Sequence, residues 1–461
     1  MSNRIIRFFS VMVCIMVIVS FCAINAIAEI NIEPNSWIDM NPSIKPSARH
    51  YHAMAYDSQS DRVIMFGGWI GSVSNPPYHR HNAETWAYDF NTNTWADMNP
   101  LVNPSGRAEI PIVYNSKIDK IFLYGGRTGI YETSNEIWLY DFDNNTWEQK
   151  FPSFTPRAKF GYSIGYDTKN EKVILFGGVT GFWSFTNETW EYDFSNNDWR
   201  NRNATGDIPI EVVDRPMSYD SKSGKMLLYA SGKTYSYDYE KNEWSEINFL
   251  ANIPSPVAMT YLSQTDNTIL YGTTGGNCCS GSSLTWTYNY NSNEWTDMNP
   301  TVSPSPRGFS QMAYDSESNK VILFGGYIYP EWSNLNDTWA YQPKQIYQEV
   351  LIDIKPGSFP NSINLRNGGT VPVAILSNTS FDATTVDPMT VTLASAPIKR
   401  KRNGTIMSST ENINGDALLD LVVHVSTQAL QLSETDTEAV LEGKTFNGTS
   451  IRGTDSVRVV H

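Results

Sequence analysis

Tryptophan recurs in this chain on a fixed frame, and that frame constrains the fold more than any other feature of the sequence. Eleven of the fourteen tryptophans fall on it, and eight of these form pairs nine residues apart, such as Trp86 and Trp95. The Asn/Asp-rich phrase between the two members of a pair is typical of a strand, a tight turn and a second strand. A short apolar run that ends at glycine, such as residues 63–68, precedes most of the pairs. The unit returns at a period of roughly 50 residues, which indicates a propeller or another repeat array.

The last repeat is incomplete, and its missing strand is predicted at the other end of the chain. The sixth phrase contains Trp339 and stops without a second tryptophan. Residues 35–42, around Trp37, match residues 94–100 and 294–300 almost residue for residue. We therefore expect the N-terminal segment to supply the outer strand of the last blade, which closes the ring and leaves no open edge. The prediction is an all-β fold with six four-stranded blades.

These features resemble the kelch-repeat β-propellers. The resemblance rests on glycine pairs, on an aromatic residue nine positions before each closing tryptophan, and on an arginine that opens most repeats. The glycine pairs are at 67–68, 125–126, 177–178 and 325–326, and the opening arginines are Arg49, Arg107, Arg157, Arg215 and Arg307. Blades four and five lack the glycine pair, and blade five has Val257 in place of the arginine. The resemblance covers roughly residues 29–343 and leaves the function open, because kelch propellers include enzymes and binding scaffolds alike.

The segments on either side of the propeller have different compositions. Arg4 and Arg7 precede an apolar run and then small residues, so residues 1–28 are predicted to be a secretory signal peptide. An uncleaved membrane anchor is the alternative. No later stretch could span a bilayer, so we expect a secreted or cell-surface protein.

Tryptophan is absent after the propeller, and the alternating pattern of residues 347–461 predicts a small antiparallel β-sandwich, similar to an accessory module found at the C-termini of secreted prokaryotic proteins.

Charge and cysteine content narrow the classes of partner. The net charge of −14 becomes −16 when Arg4 and Arg7 leave with the signal peptide. A chain this acidic disfavours nucleic acid and anionic membranes as partners. The remaining cysteines, Cys278 and Cys279, are adjacent, and they form either a strained vicinal disulfide or two thiols.

Aromatic loops on one face of the propeller are the main candidate site. In a propeller, the loops that join second to third strands share a face with the connections between blades. In this chain those loops supply the candidate ligand-binding residues, which are Trp69, Tyr78, Tyr131, Phe182, Trp183, Tyr327, Tyr329 and Trp332. Exposed rings stack on sugars and dominate protein-binding hot spots, whereas rings that pack against one another only order the loops. We predict an extracellular binding or adhesion protein that recognises a glycan or a protein partner on this face.

The opening arginines have two interpretations. Acidic residues precede the third strand in four blades, at Glu84, Glu136, Glu188 and Asp337. The simpler hypothesis is a ring of salt bridges between blades, repeated because the blade is repeated. The second hypothesis places the arginines around the channel mouth, where they would contact an anionic ligand.

Histidines in the first blade suggest an alternative, enzymatic function. His50, His79 and His81 are candidate zinc or copper ligands, because two His-x-His pairs are expected on the same face. His52 is expected to be structural, since a histidine three residues after the opening arginine is usual in kelch repeats. The alternative to a binding protein is thus a secreted carbohydrate-active enzyme, either similar to the sialate mutarotases or metal-dependent through these histidines. No catalytic residue is assigned.

The predicted C-terminal module contains one candidate calcium loop. Asn412, Asn414, Asp416 and Asp420 place side-chain oxygens at positions 1, 3, 5 and 9, as calcium loops do. The neutral first residue and Ala417 at the position that favours glycine fit an asparagine-rich turn equally well. Bound calcium would brace the module.

Overall fold

The protein consists of two compact units, residues Met1–Pro343 and Lys344–His461. The computed structural model describes residues 32–71, 80–181, 184–210, 213–249, 255–275, 281–331, 333–344, 347–446 and 449–460. The predicted signal peptide lies outside these ranges, as do Tyr78, His79, Phe182, Trp183, Cys278, Cys279 and Trp332. In the described ranges, no helix has the length and apolarity needed to cross a bilayer.

The first unit is a β-propeller with one antiparallel four-stranded blade for each of the six repeats. From the inner to the outer strand, blade one consists of Ala53–Asp57, Arg62–Phe66, Thr85–Asp89 and Thr94–Asp97. Blade two consists of Ile112–Asn115, Lys120–Tyr124, Ile137–Asp141 and Thr146–Lys150. Blade three consists of Ser163–Asp167, Lys172–Phe176, Thr189–Asp193 and Asp198–Asn201. In the same order, blade four consists of Met217–Asp220, Lys225–Ala230, Lys233–Asp238 and Glu243–Phe249. Blade five consists of Ser255–Leu262, Asn267–Thr273, Ser283–Asn289 and Glu294–Asp297. Blade six consists of Gln311–Asp315, Lys320–Ile328, Ser333–Gln342 and Ser36–Asp39. Neighbouring inner strands are in contact, and the sixth contacts the first, so the ring is closed.

The N-terminal strand closes the ring as the sequence predicts. Ser36–Asp39 pairs antiparallel with Ser333–Gln342, with Trp37 opposite Tyr341. Trp37 is fully buried and packs against the rings of Tyr341 and Tyr271, so the closing strand contributes to the core between blades five and six. Both ends of the propeller chain are therefore held in one sheet, and the edge of the Ser333–Gln342 strand is covered by an outer strand as in the other blades.

The turn before each outer strand explains the asparagine in the repeating phrase. Its asparagine adopts a left-handed φ between 47° and 58°, a conformation that asparagine tolerates better than most residues. The side-chain oxygen of the asparagine accepts a hydrogen bond from the hydroxyl of a tyrosine in the third strand of the same blade. The side-chain nitrogen donates to a backbone carbonyl at the end of the outer strand of the preceding blade. The six asparagines are Asn35, Asn93, Asn145, Asn197, Asn242 and Asn293.

Three of the five opening arginines lie inside the blades, and for these three both hypotheses are wrong. Arg49, Arg107 and Arg307 are fully buried, and each pairs with the acidic residue of its own repeat at 2.5 to 2.6 Å. The ion pairs are therefore within blades rather than between them. Each guanidinium also donates to the carbonyl of the first glycine of the pair, which satisfies the buried charge and keeps it away from the channel mouth.

The prediction was wrong about the opening residues of blades three and four. Lys159 occupies the buried position in blade three and pairs with Glu188 at 3.4 Å, whereas Arg157 is exposed. Arg215 is separated from the inner strand of blade four, Met217–Asp220, by one residue only, so it lies too close to that strand to be the equivalent residue. Its side chain is instead among those that line the central cavity. The sequence pattern misassigned both blades because arginines occur near the expected spacing.

Short additional strands extend two blades beyond the four-stranded pattern and broaden a third. Arg49–His50, Trp69–Ile70 and Arg80–His81 form a small sheet, and Lys159–Phe160, Val179–Thr180 and Ser184–Phe185 form another. Thr205–Gly206 pairs parallel with the outer strand of blade four.

The second unit contains two sheets that share one apolar core. In order across the sheets, the strands are Gln348–Glu349, Ser450–Ser456, Glu438–Thr445, Val386–Leu393 and Ala396–Pro397 in the first, and Ile352–Ile354, Thr370–Ile375, Asp420–Ser426 and Ser408–Glu411 in the second. Ser362–Asn364 pairs parallel with Arg458–Val460, and the 3₁₀ turns are Ala383–Thr385 and Thr427–Ala429.

Candidate functional site

The connections between blades and the loops from second to third strands lie on one side of the propeller, which we call the loop face. In four blades the two kinds of segment pair with each other through short β contacts. The pairs are Arg49–His50 with Trp69–Ile70, Ala108 with Arg127, Lys159–Phe160 with Val179–Thr180, and Gly308 with Tyr327. The paired segments of this face are thus held in place by backbone hydrogen bonds.

Five residues, one from each of five blades, surround the channel mouth on the loop face and form what we call the mouth ring. They are Tyr51, Glu109, Gly161, Asp214 and Phe309, and all have left-handed φ values between 52° and 61°. Backbone hydrogen bonds join them in order around the channel, from Tyr51 to Phe309, Glu109 to Tyr51, Gly161 to Glu109 and Asp214 to Gly161, at 2.8 to 3.1 Å. A left-handed φ is uncommon for aromatic residues, so these positions are held by the surrounding structure.

The residues of the mouth ring line a central cavity of about 690 Å³, a size within the range of ligand pockets. The rings of Tyr51 and Phe309 stack with their centroids 4.1 Å apart. The Tyr51 hydroxyl donates to the Asp214 carboxylate at 3.3 Å. Blade one and blade four are opposite each other in a six-bladed ring, so the Tyr51 side chain reaches across the mouth.

Two carboxyl groups of the mouth ring have raised pKa values. Burial, together with the nearby charge of Asp214, raises the pKa of Glu109 to about 8. Burial raises the pKa of Asp214 to about 6, although the Tyr51 hydrogen bond opposes that shift. Arg127 pairs with Glu109 at 3.0 Å and lies 4.2 Å from the centroid of the Phe160 ring, so the pKa of Glu109 is raised in spite of an ion pair. The mouth therefore combines an aromatic stack with two carboxyl groups of raised pKa, one of which is paired with Arg127.

Two of the three histidines proposed as metal ligands, His50 and His81, lie on opposite sides of a tryptophan. His50 and His81 both pair with Trp69 in the small sheet of blade one, and their rings are 5.7 and 5.3 Å from the indole. The His50 Nδ1 is 2.8 Å from the Asn334 Oδ1. No cluster of three or more His, Cys, Asp or Glu side chains suited to a metal occurs among the described residues, which do not include His79. The placement separates His50 from His81, and a metal site that involves His79 stays a prediction.

The four described aromatic candidates differ in exposure. Tyr327 is buried and contacts the His50 ring, and Trp69 is half-buried, so both order the loops. Tyr131 is 92% exposed and Tyr329 is 44% exposed, and these two present rings to solvent. The other four candidates, Tyr78, Phe182, Trp183 and Trp332, lie outside the described residues.

Sequence reasoning missed the mouth ring, although a signal for it exists. Tyr51, Glu109, Gly161 and Phe309 each lie two residues after the buried cation of their blade. The repeat is regular on both sides of this position, yet the position itself holds an aromatic, an acid or a glycine. A position that varies within a constant frame is a candidate for specific recognition.

In the candidate calcium loop of the second unit, the side-chain oxygens accept hydrogen bonds from backbone nitrogens. Asn412 accepts a hydrogen bond from the backbone nitrogen of Gly415, Asn414 accepts one from Asp416, and Asp416 accepts one from Leu418. Buried Asp420 accepts from the backbone nitrogens of Ser377 and Ile413. These contacts match the asparagine-rich turn that the sequence offered as an alternative, and the calcium site stays a prediction.

Comparison with known proteins places the repeats among kelch domains. A family model described as the KLHDC2/KLHL20/DRC7 Kelch-repeats domain matches residues 20–212, 71–276 and 119–326. Mei4-dependent protein 6 of Schizosaccharomyces pombe is 30% identical over 139 residues, which are 28% of this chain and 19% of that protein. Kelch domain-containing protein 10 of Xenopus tropicalis is 24% identical over 160 residues, which are 33% of this chain and 36% of that protein. The chain spans well under two thirds of either relative, so each similarity concerns only a part of that protein.

Proposed function

The chain belongs to the kelch-repeat β-propeller family, and we propose that it is an extracellular binding protein whose loop face takes a partner protein at the channel mouth. Kelch repeats support a protein-binding propeller. The fold alone does not identify the partner, so the proposal rests on the side chains at the site. The extracellular location follows from the predicted signal peptide at residues 1–28.

The observation that carries the proposal is the chemical diversity of the mouth ring on a constant backbone. The five positions share one φ region and one chain of backbone hydrogen bonds, but two hold aromatic residues, two hold acidic residues and one holds glycine. A structural requirement common to the blades would select similar residues at these positions. Aromatic rings beside desolvated charged groups are typical of protein-binding hot spots.

A partner would engage the two sides of the mouth differently. Tyr51 and Phe309 offer an apolar stack, Asp214 offers acceptor oxygens, and the Glu109 carboxyl can donate or accept a hydrogen bond, because it is protonated up to about pH 8. Gly161 lies between the two acidic residues around the ring and leaves room there, because it has no side chain. An extended segment with one apolar residue and one donor group would fit this arrangement.

A glycan is the second candidate ligand, and the exposed rings of Tyr131 and Tyr329 favour it. Exposed tyrosines supply flat apolar surfaces for stacking as well as hydroxyl groups for hydrogen bonds. Both residues belong to second-to-third loops, away from the mouth ring in sequence. The two ligands can therefore be separated by substitutions that affect one set of residues.

The test selects peptides from a random display library against the full-length protein and measures their affinities for variants. Tyr51→Gly/Phe309→Gly removes the stack, and glycine tolerates the left-handed φ at both positions. The proposal predicts that selected peptides bind this variant at least tenfold more weakly. Ile118→Ala, at an exposed position in the turn between the first and second strands of blade two and so on the side opposite the loop face, serves as the control and should bind like the wild type.

A glycan array probed with the same proteins and with Tyr131→Ala/Tyr329→Ala tests the second candidate. Glycan binding that this variant alone loses would replace the protein partner with a carbohydrate. If no peptide is selected, or if selected peptides bind all variants equally, the mouth ring is not the binding site.

A further inference from the structure

The second unit presents a cluster of positive charge in an otherwise acidic chain. Lys399, Arg400, Lys401 and Arg402 are consecutive, and all four side chains are exposed. They lie in a hairpin that begins where Ile398 bridges Val425 and continues where Arg400 bridges Ile406. We call residues 398–407 the basic hairpin.

Backbone contacts give the basic hairpin a defined shape. Lys401 donates from its backbone nitrogen to the Thr405 carbonyl at 2.7 Å, and Gly404 donates to the Lys401 carbonyl at 2.9 Å. Gly404 has a φ of 85°, which a residue with a side chain rarely adopts, and the Arg400 guanidinium donates to its carbonyl at 3.1 Å. The four cations are therefore displayed on an ordered turn rather than on a loose tail.

No carboxylate neutralises these four cations among the described residues, whereas Arg452 of the same unit lies 3.9 Å from Glu442. Residues 344–461 contain ten Lys or Arg and twelve Asp or Glu, so four of the ten cations lie in this one turn. Four like charges in adjacent positions repel one another, and the repulsion is relieved when an anionic partner binds. The concentration of charge therefore indicates a polyanion rather than an ion pair inside the protein.

We propose that the basic hairpin binds an anionic polysaccharide, whose carboxylate or sulfate groups repeat along the chain. Three of the cations follow one another in extended backbone, so successive side chains point to opposite sides and can contact several groups of one polymer. Arginine contributes planar bidentate contacts to carboxylates or sulfates, and lysine contributes a compact charge. A single small anion would use only part of this surface.

The net charge of the whole protein favours a polysaccharide over a nucleic acid. The chain carries −14 overall, so a long duplex of high charge density would be repelled outside the basic hairpin. A flexible polysaccharide of lower charge density can contact the hairpin and extend away from the acidic surfaces. The proposal does not depend on the channel mouth, because the hairpin and the mouth ring lie in different units.

The experiment measures binding of the full-length protein to polygalacturonate and to dextran sulfate, with neutral dextran as a blank. Lys399→Gln/Arg400→Gln/Lys401→Gln/Arg402→Gln removes the four charges at exposed positions. We expect the wild type to bind at 50 mM NaCl, the affinity to fall as salt is added, and the variant to bind at least tenfold more weakly. The two polymers show whether carboxylate or sulfate is preferred.

A matched variant separates the hairpin from general electrostatic attraction. Lys117→Gln/Lys169→Gln/Arg200→Gln/Lys241→Gln changes the net charge equally, at side chains that are 58 to 75% exposed. It should bind within twofold of the wild type. The proposal fails if both quadruple variants lose affinity equally, or if the wild type does not bind either polymer. It also fails if duplex DNA or vesicles with anionic lipids bind as tightly as the polysaccharides in the same buffer.

Discussion

Trp37, in the first strand of the chain, donates a hydrogen bond from its indole nitrogen to the hydroxyl of Thr285 in blade five, at 3.0 Å. The closing tryptophans of four other blades make the same contact with a threonine of the preceding blade. These pairs are Trp95 with Thr338, Trp147 with Thr85, Trp244 with Thr189 and Trp295 with Thr234. In blade three the indole nitrogen of Trp199 has no hydrogen-bond partner among the described residues, and Ile137 occupies the position of the threonine. A tryptophan–threonine contact thus joins five of the six pairs of adjacent blades.

Replacing one of these threonines should destabilise the propeller. Thr285→Val keeps the shape of the side chain but leaves the buried Trp37 nitrogen without an acceptor, at a cost of about 1–3 kcal/mol. Urea unfolding followed by tryptophan fluorescence measures the change. The same substitution at exposed Thr296 should alter the free energy of unfolding by less than about 0.5 kcal/mol. Equal effects of the two substitutions would contradict the assigned role of the hydrogen bond.

The buried cations predict opposite outcomes for two conservative substitutions. Arg107→Lys removes the contacts to the Gly125 carbonyl and to Ser105, so the free energy of unfolding should fall by about 1–3 kcal/mol. Lys159→Arg introduces in blade three the residue that blades one, two and six have at this position, and should raise the free energy of unfolding by about 0.5–2 kcal/mol. Thermal unfolding by calorimetry reports both changes. A Lys159→Arg protein that is less stable than the wild type would show that blade three has adapted to lysine.

The raised pKa of Glu109 predicts that stability falls as pH rises. In the unfolded chain this carboxyl ionises near its ordinary value of 4.5, but in the folded protein it retains its proton up to about pH 8. The stabilising contribution is therefore fully present below pH 4.5 and is lost between about pH 4.5 and 8. Glu109→Gln should reduce this loss by about 1 kcal/mol or more, since one pKa unit corresponds to about 1.4 kcal/mol. Melting temperatures between pH 5 and pH 8.5 measure the loss, with exposed Glu132→Gln as the control.

His52 predicts a dependence of the opposite sign at acid pH. Its ring is fully buried, and burial lowers its pKa well below 6.5, assisted by the charges of Arg49 and His50. Below pH 6.5 the unfolded chain takes up a proton that the folded protein does not, so stability is lost as pH falls. His52→Leu should flatten the decrease in melting temperature between pH 6.5 and 5. An unchanged slope would mean that other groups control acid unfolding.

The sequence by itself determined the propeller architecture, because each repeat carries the same strand, turn and burial pattern. The spacing of Trp86 and Trp95 fixes a strand, a turn and a strand, and the motif around Trp37 reveals where the ring closes. These features depend on local backbone geometry and on burial, both of which leave a periodic record in the sequence.

Only the tertiary structure decided how individual residues are used. Lys159 replaces the arginine that the pattern placed at Arg157, and Tyr51 reaches from blade one to Asp214 of blade four. Residues 163 positions apart become hydrogen-bond partners only when the closed ring places their blades opposite each other. Periodicity records what all blades share, whereas the channel mouth depends on where they differ. The contacts of the mouth ring therefore exist only when the six blades are assembled around one channel.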